Sequence, residues 1–256
     1  MASRPDAGPG TDTAIDKALV ILSSLETVSF GRTLAEISSD TSIPKPTVHR
    51  ILATLEKHGF VQQLNSGRYA LGMRLAALGL FAASGSDLLS AGKPILDRLV
   101  LECGETVHLG VLQGKSLLYV DRREPDDAAV RLATLPSPLT SLHASASGKV
   151  LLAFSDNTLL KEVIAGGLVR YTSNTKVDPD ELAAEVEKVR LEGFAVNEQE
   201  RYEGVRAVGV PIKKRDGTLV GAMSAAGPVQ RIDDAKLAQL KQLLTKAAAE
   251  LAGGLI

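Results

Sequence analysis

Cysteine occurs once in the 256 residues, at Cys103. The chain therefore forms no internal disulfide and is expected in a reducing compartment, the cytoplasm. Its four histidines and one cysteine fall at no metal-ligand spacing, so no metal site is expected. No apolar run reaches the roughly 18 residues of a membrane span. The first twelve residues, MASRPDAGPGTD, lack the apolar core of a signal peptide and read as a disordered tail. Strong charge of either sign is also missing. A net charge of −1 excludes a polycation, so any contact with nucleic acid must come from a local patch. There is no internal repeat, and no catalytic constellation assembles. Cys103 ends a helix and precedes Gly104, where a buried structural thiol is expected rather than a nucleophile. Ser147-Gly148-Lys149 is no phosphate-binding loop, because the upstream glycine and the Ser/Thr after the lysine are lacking. No cofactor is expected.

A local cationic patch is present. From Thr41 to Arg74 the cations are Lys45, Arg50, Lys57, Arg68 and Arg74, and the only acid is Glu56, which leaves the rest of the chain net acidic. Pro44 and Pro46 mark a helix start, where a missing N–H costs nothing, and Gly59 marks its end. At 100° per residue, Val48, Ile51, Leu52 and Leu55 fall on one apolar side. Pro46, Arg50, Ala53 and Lys57 fall on the other, flanked by Thr47 and His49. An outer face this small and cationic suits a major groove about 12 Å wide. Ahead of it, Ala14–Thr27 has helical spacing, and Thr33 can cap a short helix over Leu34–Ser39. Behind it, Phe60–Leu64 and Arg68–Leu71 read as strands around the turn Asn65-Ser66-Gly67, with Arg68 near the tip, where a wing meets backbone or minor groove. Helix, turn, helix and basic hairpin in this order point to DNA. The DNA-facing set is Lys45, Pro46, Thr47, His49, Arg50 and Arg68.

The remaining chain alternates helices and hairpins. Gly72–Ser90 reads as one connecting helix, weakened by Gly79 and Gly85, whose apolar stripe would pair with a second copy. A helix over Lys93–Cys103 follows, then strands Thr106–Leu112 and Ser116–Arg122, a third over Ala128–Ala133, and a loop over Pro136–Ser141. His143–Phe154 opens with small residues and ends as an apolar helix. A helix N-terminus with small side chains favours an anion, and Ser145 and Ser147 add hydroxyl donors, although ordinary N-capping explains the same residues. Helices are expected over Thr158–Ile164, Asp178–Glu192 and Asp233–Ala252, and strands over Phe194–Glu198, Val205–Lys213 and Leu219–Ala226. This is an α+β protein with an antiparallel sheet.

The stretches Ser42–Leu52, Leu55–Val61 and Gly67–Gly72 resemble the winged helix-turn-helix of the IclR family of bacterial transcription regulators. The resemblance continues through Gly104–Leu109, His143–Lys149, Glu192–Val196, Glu203–Arg206 and Ala226–Pro228. It implies a disordered tail over 1–12, a winged helix-turn-helix domain over 13–72, a linker helix over 73–91, and a GAF-like effector-binding domain over 92–256. It implies a repressor that binds a palindromic double-stranded operator as a homodimer or homotetramer, without membrane contact, and whose affinity a small carboxylic acid adjusts. The family's pocket, carried over by position, points to Ala146, Ser147, Asn197, Val205, Ala207, Ser224 and Ala226. The family usually has serine at Pro46, an acid at Asn197, cysteine at Ala207 and serine at Ala226. The replacements at Asn197, Ala207 and Ala226 make a roomier, less polar pocket, one for an aromatic or branched acid. The alternative is an enzyme acting on a small organic acid, with an N-terminal domain that serves only assembly.

Overall fold

The computed structural model describes residues 13–26, 30–125 and 139–255. The tail over 1–12, the strand expected over Ala128–Ala133 and the first part of the expected Pro136–Ser141 loop lie outside the described residues. The chain divides into two compact units between Gly85 and Ser86.

The first unit begins with helix α1 (Ala14–Ser24), capped by Thr13, whose hydroxyl accepts from the Asp16 N–H at 3.1 Å. Helix α2 (Leu34–Thr41) starts in a reciprocal capping box. Thr33 Oγ1 accepts from Glu36 N–H at 3.2 Å, and the Thr33 N–H donates to the Glu36 carboxylate at 2.7 Å. The helix runs two residues past the expected Ser39 because Thr41 continues it. The turn is then Ser42-Ile43-Pro44, with Ser42 in the left-handed region at φ 59°. Helix α3 (Lys45–Lys57) follows, with Pro44 at its N-cap and Pro46 in its first turn. Strands β1 (Val61–Gln63) and β2 (Tyr69–Leu71) make the hairpin, and Gly67 supplies the positive φ its turn needs. Arg32 adds a rung to β2, exchanging backbone hydrogen bonds with Tyr69 at 2.8 and 2.7 Å. Ile21, Leu25, Ile37, Ile43, Val48, Leu52, Val61 and Tyr69 form the buried core.

The single helix expected over Gly72–Ser90 is two. Helix α4 (Met73–Ser84) ends before Gly85, and α5 (Asp87–Cys103) starts at Ser86, whose hydroxyl accepts from Leu89 N–H. Glycine lowers helix stability there, and a serine beside it offers the next helix a cap. Helix α5 thus begins six residues ahead of the expected Lys93 and carries Pro94 inside.

The second unit is built on a six-stranded antiparallel sheet. Its strands are β3 (Thr106–Gln113), β4 (Ser116–Arg123), β5 (Leu139–Ser141), β6 (Ala195–Glu198), β7 (Val205–Lys213) and β8 (Leu219–Pro228), in the order β5-β4-β3-β8-β7-β6. Strand β5 corrects the sequence reading, which made Pro136–Ser141 a loop. The three residues 139–141 pair with Ser116–Leu118, and so short an edge strand lacks the alternating run that marks one in sequence. One face of the sheet packs on α5 and α9 (Asp234–Gly253) through Val107, Leu109, Val208, Val210, Met223 and Ala225. The other face packs on α6 (Ala146–Phe154), α7 (Asn157–Ala165) and α8 (Pro179–Glu192). Alternation along the strands therefore sends Thr106, His108, Ser224, Ala226, Ala207 and Gly209 toward the α6 side. At Gly209 the α6 N-terminus comes close. A Cβ there would lie 2.9 Å from the Ala146 carbonyl carbon and 3.0 Å from Ser147 N.

Candidate functional site

In the first unit, burial splits α3 lengthwise. Val48 and Leu52 are 0% exposed, with Ile51 and Leu55 half-buried. Lys45, Pro46, His49, Arg50, Ala53 and Lys57 are exposed, and Thr47 is half-buried beside them. The helix has no side-chain cap, and Pro44, Lys45 and Pro46 at its positive N-terminal end are exposed. Arg68 is different. Its Nε donates to Gly31 O at 2.9 Å and its guanidinium pairs with Glu36 at 2.7 Å. In the free protein this cation ties the hairpin to the start of α2 rather than reaching outward from the tip.

In the second unit, the stretch of small residues before α6 lies against the sheet. Ala146, Ala207 and Ala226 form one buried cluster, with Val205 packed on it. Ser147 is 0% exposed, and its Oγ makes no ordinary hydrogen bond among the described residues. The Tyr119 hydroxyl lies beside Ser147 and Ser224, and burial pushes its pKa up to about 12. Ser145 is consumed by the fold. Its hydroxyl accepts from Gly148 N–H and donates to Ser141 O, both at 3.1 Å. Asn197 is also committed. Its amide donates to Ala144 O at 2.6 Å and its Oδ1 accepts from Glu200 N–H at 3.1 Å. A carboxylate here would set an acceptor against the Ala144 carbonyl, so the amide fits where the family usually has an acid.

Two family descriptions match this architecture. The IclR helix-turn-helix domain covers residues 14–65, and the C-terminal domain of the bacterial transcriptional regulator IclR covers residues 80–252. The chain belongs to the IclR family. It is 30% identical to the HTH-type transcriptional regulator XynR of Escherichia coli strain K12, over 94% of this chain and 96% of the relative. It is 33% identical to the HTH-type transcriptional regulator BhcR of Paracoccus denitrificans, over 94% of this chain and 87% of the relative. A crystal structure of an IclR regulator from Silicibacter sp. TM1040 superimposes with a TM-score of 0.84 at 28% identity, covering 94% of this chain and 95% of that one. The IclR chain is thus a DNA-binding transcription regulator with an effector domain. Its family is regulatory, not enzymatic. Among the described residues no helix is long and apolar enough to cross a membrane, and no cluster of three metal-ligating side chains occurs.

In the second unit, Tyr119, Arg201 and the partners of Lys149 escaped the sequence reading. His108 is 5% exposed, its Nδ1 is buried without a partner among the described residues, and its ring lies 4.7 Å from that of Tyr119. Burial, aided by nearby Arg122, lowers its pKa to about 3, so it is uncharged at neutral pH. His143 is the ordinary case, with Nε2 3.0 Å from Val169 O. Arg201 lies 3.7 Å above the Tyr171 ring and 5.3 Å from that of Tyr202, with its Nε buried and without a partner among the described residues. Lys149 is 0% exposed and is held by Glu200 at 2.6 Å and Glu185 at 2.9 Å. The one available signal was Lys149 itself, a lysine inside the otherwise small and apolar run Ala146–Phe154. Cys103 is a buried thiol whose pKa burial raises, and it donates weakly to Glu105 O.

Proposed function

We propose that the chain is a repressor that reads a palindromic operator with α3 and loosens or tightens its hold when a small carboxylic acid occupies the second unit. The proposed base and backbone contacts are Lys45, Pro46, Thr47, His49 and Arg50. The observation that carries this reading is the division of α3, with Val48 and Leu52 fully enclosed while Arg50 stands exposed on the opposite side. Arg68 enters the proposal as the residue that seats the wing. Repression needs nothing beyond occupancy, since a bound dimer excludes polymerase from the same duplex.

One winged unit reads one half-site, so two copies are required. Exposed Met73, Leu78 and Phe81 on α4, with Ile15 and Leu19 on α1, are the apolar surface we assign to pairing in a homodimer or homotetramer. The working division is a DNA-binding domain over 13–72, a linker over 73–91 and an effector domain over 92–256, and the compartment is the cytoplasm. The effector would touch Ala146, Ser147, Val205, Ala207, Ser224 and Ala226, with Asn197 bracing the wall behind them. Methyl groups at Ala207 and Ala226 favour an apolar, aromatic acid over a two-carbon one. An effector shifts occupancy usefully if its coupling to DNA binding is about 1–3 kcal/mol.

The test is operator selection from random duplex, followed by gel-shift titration of the wild type and Arg50→Ala. Sequence-independent binding, or undiminished operator affinity in Arg50→Ala, would reject the reading.

A further inference from the structure

The hairpin of β1 and β2 is too short to hold its own direction. It pairs Val61 with Leu71, Gln62 with Ala70 and Gln63 with Tyr69, and an isolated two-stranded hairpin is marginal in water at best. Val61 and Tyr69 seat its base in the core, with Leu71 packed against them. No residue of its outer half, from Gln63 to Arg68, is fully buried. Carboxylates tie that half down instead.

On the β2 side the tie is to α2. Arg68 Nη2 donates to Glu36 Oε2 at 2.7 Å. Arg32, the backbone partner of Tyr69, pairs with Asp40 at 3.2 Å, one helical turn along from Glu36. On the β1 side the tie is to α3 itself. Leu64 N–H donates across the hairpin to Arg68 O at 2.8 Å, so the preceding residue, Gln63, turns its N–H to the opposite edge. There Glu56 Oε1 accepts from it at 3.2 Å.

Glu56 is the odd member of this set. It is the only acid between Thr41 and Arg74, it is exposed, and it pairs with no cation among the described residues although Lys57 adjoins it. An acid at that place repels duplex phosphate. It therefore weakens DNA binding unless it orients something that strengthens it.

We propose that Glu56 and Glu36 are positioning residues for DNA reading. They touch no duplex, but they hold the outer half of the hairpin at one inclination to α3, so that helix and wing together accept only a duplex that matches both. This rests on the reading of α3 and the hairpin as DNA-binding and adds the residues that set the angle between them.

The test compares the full chain with Glu56→Ala, Glu56→Gln and Glu36→Gln on a selected operator and on random duplex. Glu56→Gln keeps an acceptor for Gln63 N–H, and Glu36→Gln keeps the capping box with Thr33. All three remove one negative charge, so a bare charge effect would strengthen binding to both duplexes in all three alike. Positioning separates them. Glu56→Ala should lose about tenfold in its preference for operator over random duplex, the worth of about one base contact. Glu56→Gln should keep the wild-type preference, and Glu36→Gln, which leaves Arg68 without its ion pair, should fall between. Without DNA, amide hydrogen exchange over residues 61–71 should be faster in Glu56→Ala than in the wild type, with Val48 and Leu52 as protected as before. Equal preference in Glu56→Ala and Glu56→Gln, or unchanged exchange in the hairpin, would overturn the positioning role and leave the DNA-binding reading intact. Loss of protection in α3 as well would make Glu56 a residue of the fold and overturn it too. If the wild type prefers no duplex while exchange over 61–71 still quickens, the DNA-binding reading itself fails, and this proposal with it.

Discussion

Lys149 Nζ lies 2.6 Å from Glu200 Oε1, and neither side chain is reached by more than a trace of solvent. The pair joins α6 to the loop that carries Arg201. The same loop is held from behind, because Thr175 Oγ1 donates to Glu200 O at 2.7 Å and Thr172 Oγ1 donates to Gln199 O at 2.7 Å. Glu185 closes the other side of the ammonium at 2.9 Å. Burial raises the Glu185 carboxyl, but Lys149 and Lys176 outweigh it and hold the group below the usual carboxylate range. The scaffold under the proposed effector site is therefore an ionic knot, not an apolar plug.

Removing one member of such a knot is costly because it strands the others. Lys149→Met should destabilise the second unit by about 3–5 kcal/mol, read by urea unfolding. The double variant Lys149→Met with Glu200→Leu should lose less than the two single losses added, since neither stranded charge remains. Simple additivity would show that the two side chains are not coupled.

Local signals in the sequence carried much of the architecture. Asp178, Pro179 and Gly193 bracket α8 as cap, first residue and left-handed stop, and the Pro44–Gly59 interval brackets α3. Such signals act within a few residues, so they are visible without tertiary context. The knot was not visible, because Lys149 meets partners 36 and 51 residues further on. His108 and Tyr119 likewise meet only through strand register, which a bulge between Leu109 and Gly110 shifts. Arg68 was read by its place near a hairpin tip, but its partners Gly31 and Glu36 lie more than 30 residues away.

Arg50 and Arg68 should separate reading from folding. Arg50 makes no side-chain hydrogen bond or ion pair among the described residues and is exposed, so Arg50→Ala should leave the thermal midpoint unchanged. Loss of a base contact should weaken operator binding by about 1–3 kcal/mol per half-site. A lowered midpoint would make Arg50 structural and remove it from the reading face.

Arg68→Ala should do the converse. The hydrogen bond from Arg68 Nε to Gly31 O is worth about 1 kcal/mol, and its loss frees the wing from α2. The midpoint of the first unit should drop by several degrees. A high-salt titration should show a reduced slope only if Arg68 also leaves Glu36 to meet a phosphate. An unchanged midpoint would deny it the seating role.

His108 makes a prediction about acid. Its pKa is about 3 in the folded protein, and a histidine in the unfolded chain titrates near 6.5. Between those values the unfolded chain binds the extra proton, so stability is full above about pH 6.5 and falls as pH drops toward 3. The slope approaches about 1.4 kcal/mol per pH unit. His143 adds to it in the same direction, since burial lowers its pKa too, against the hydrogen bond to Val169 O. The carboxylates with lowered pKa, Glu36, Asp156, Glu185 and Asp216, act elsewhere. Their contribution is present above the unfolded carboxylate range and is lost only below about pH 4.5. Between pH 4.5 and 6.5 the histidines are therefore opposed only by Glu26, whose carboxyl burial raises and whose contribution to stability grows as pH falls. Urea midpoints measured at pH 7, 6 and 5 should fall steadily in the wild type and much less in His108→Phe, which puts a ring of similar size in place of the imidazole. Parallel curves for the two proteins would mean that His108 already carries its proton in the fold, against the burial that should keep its imidazole neutral.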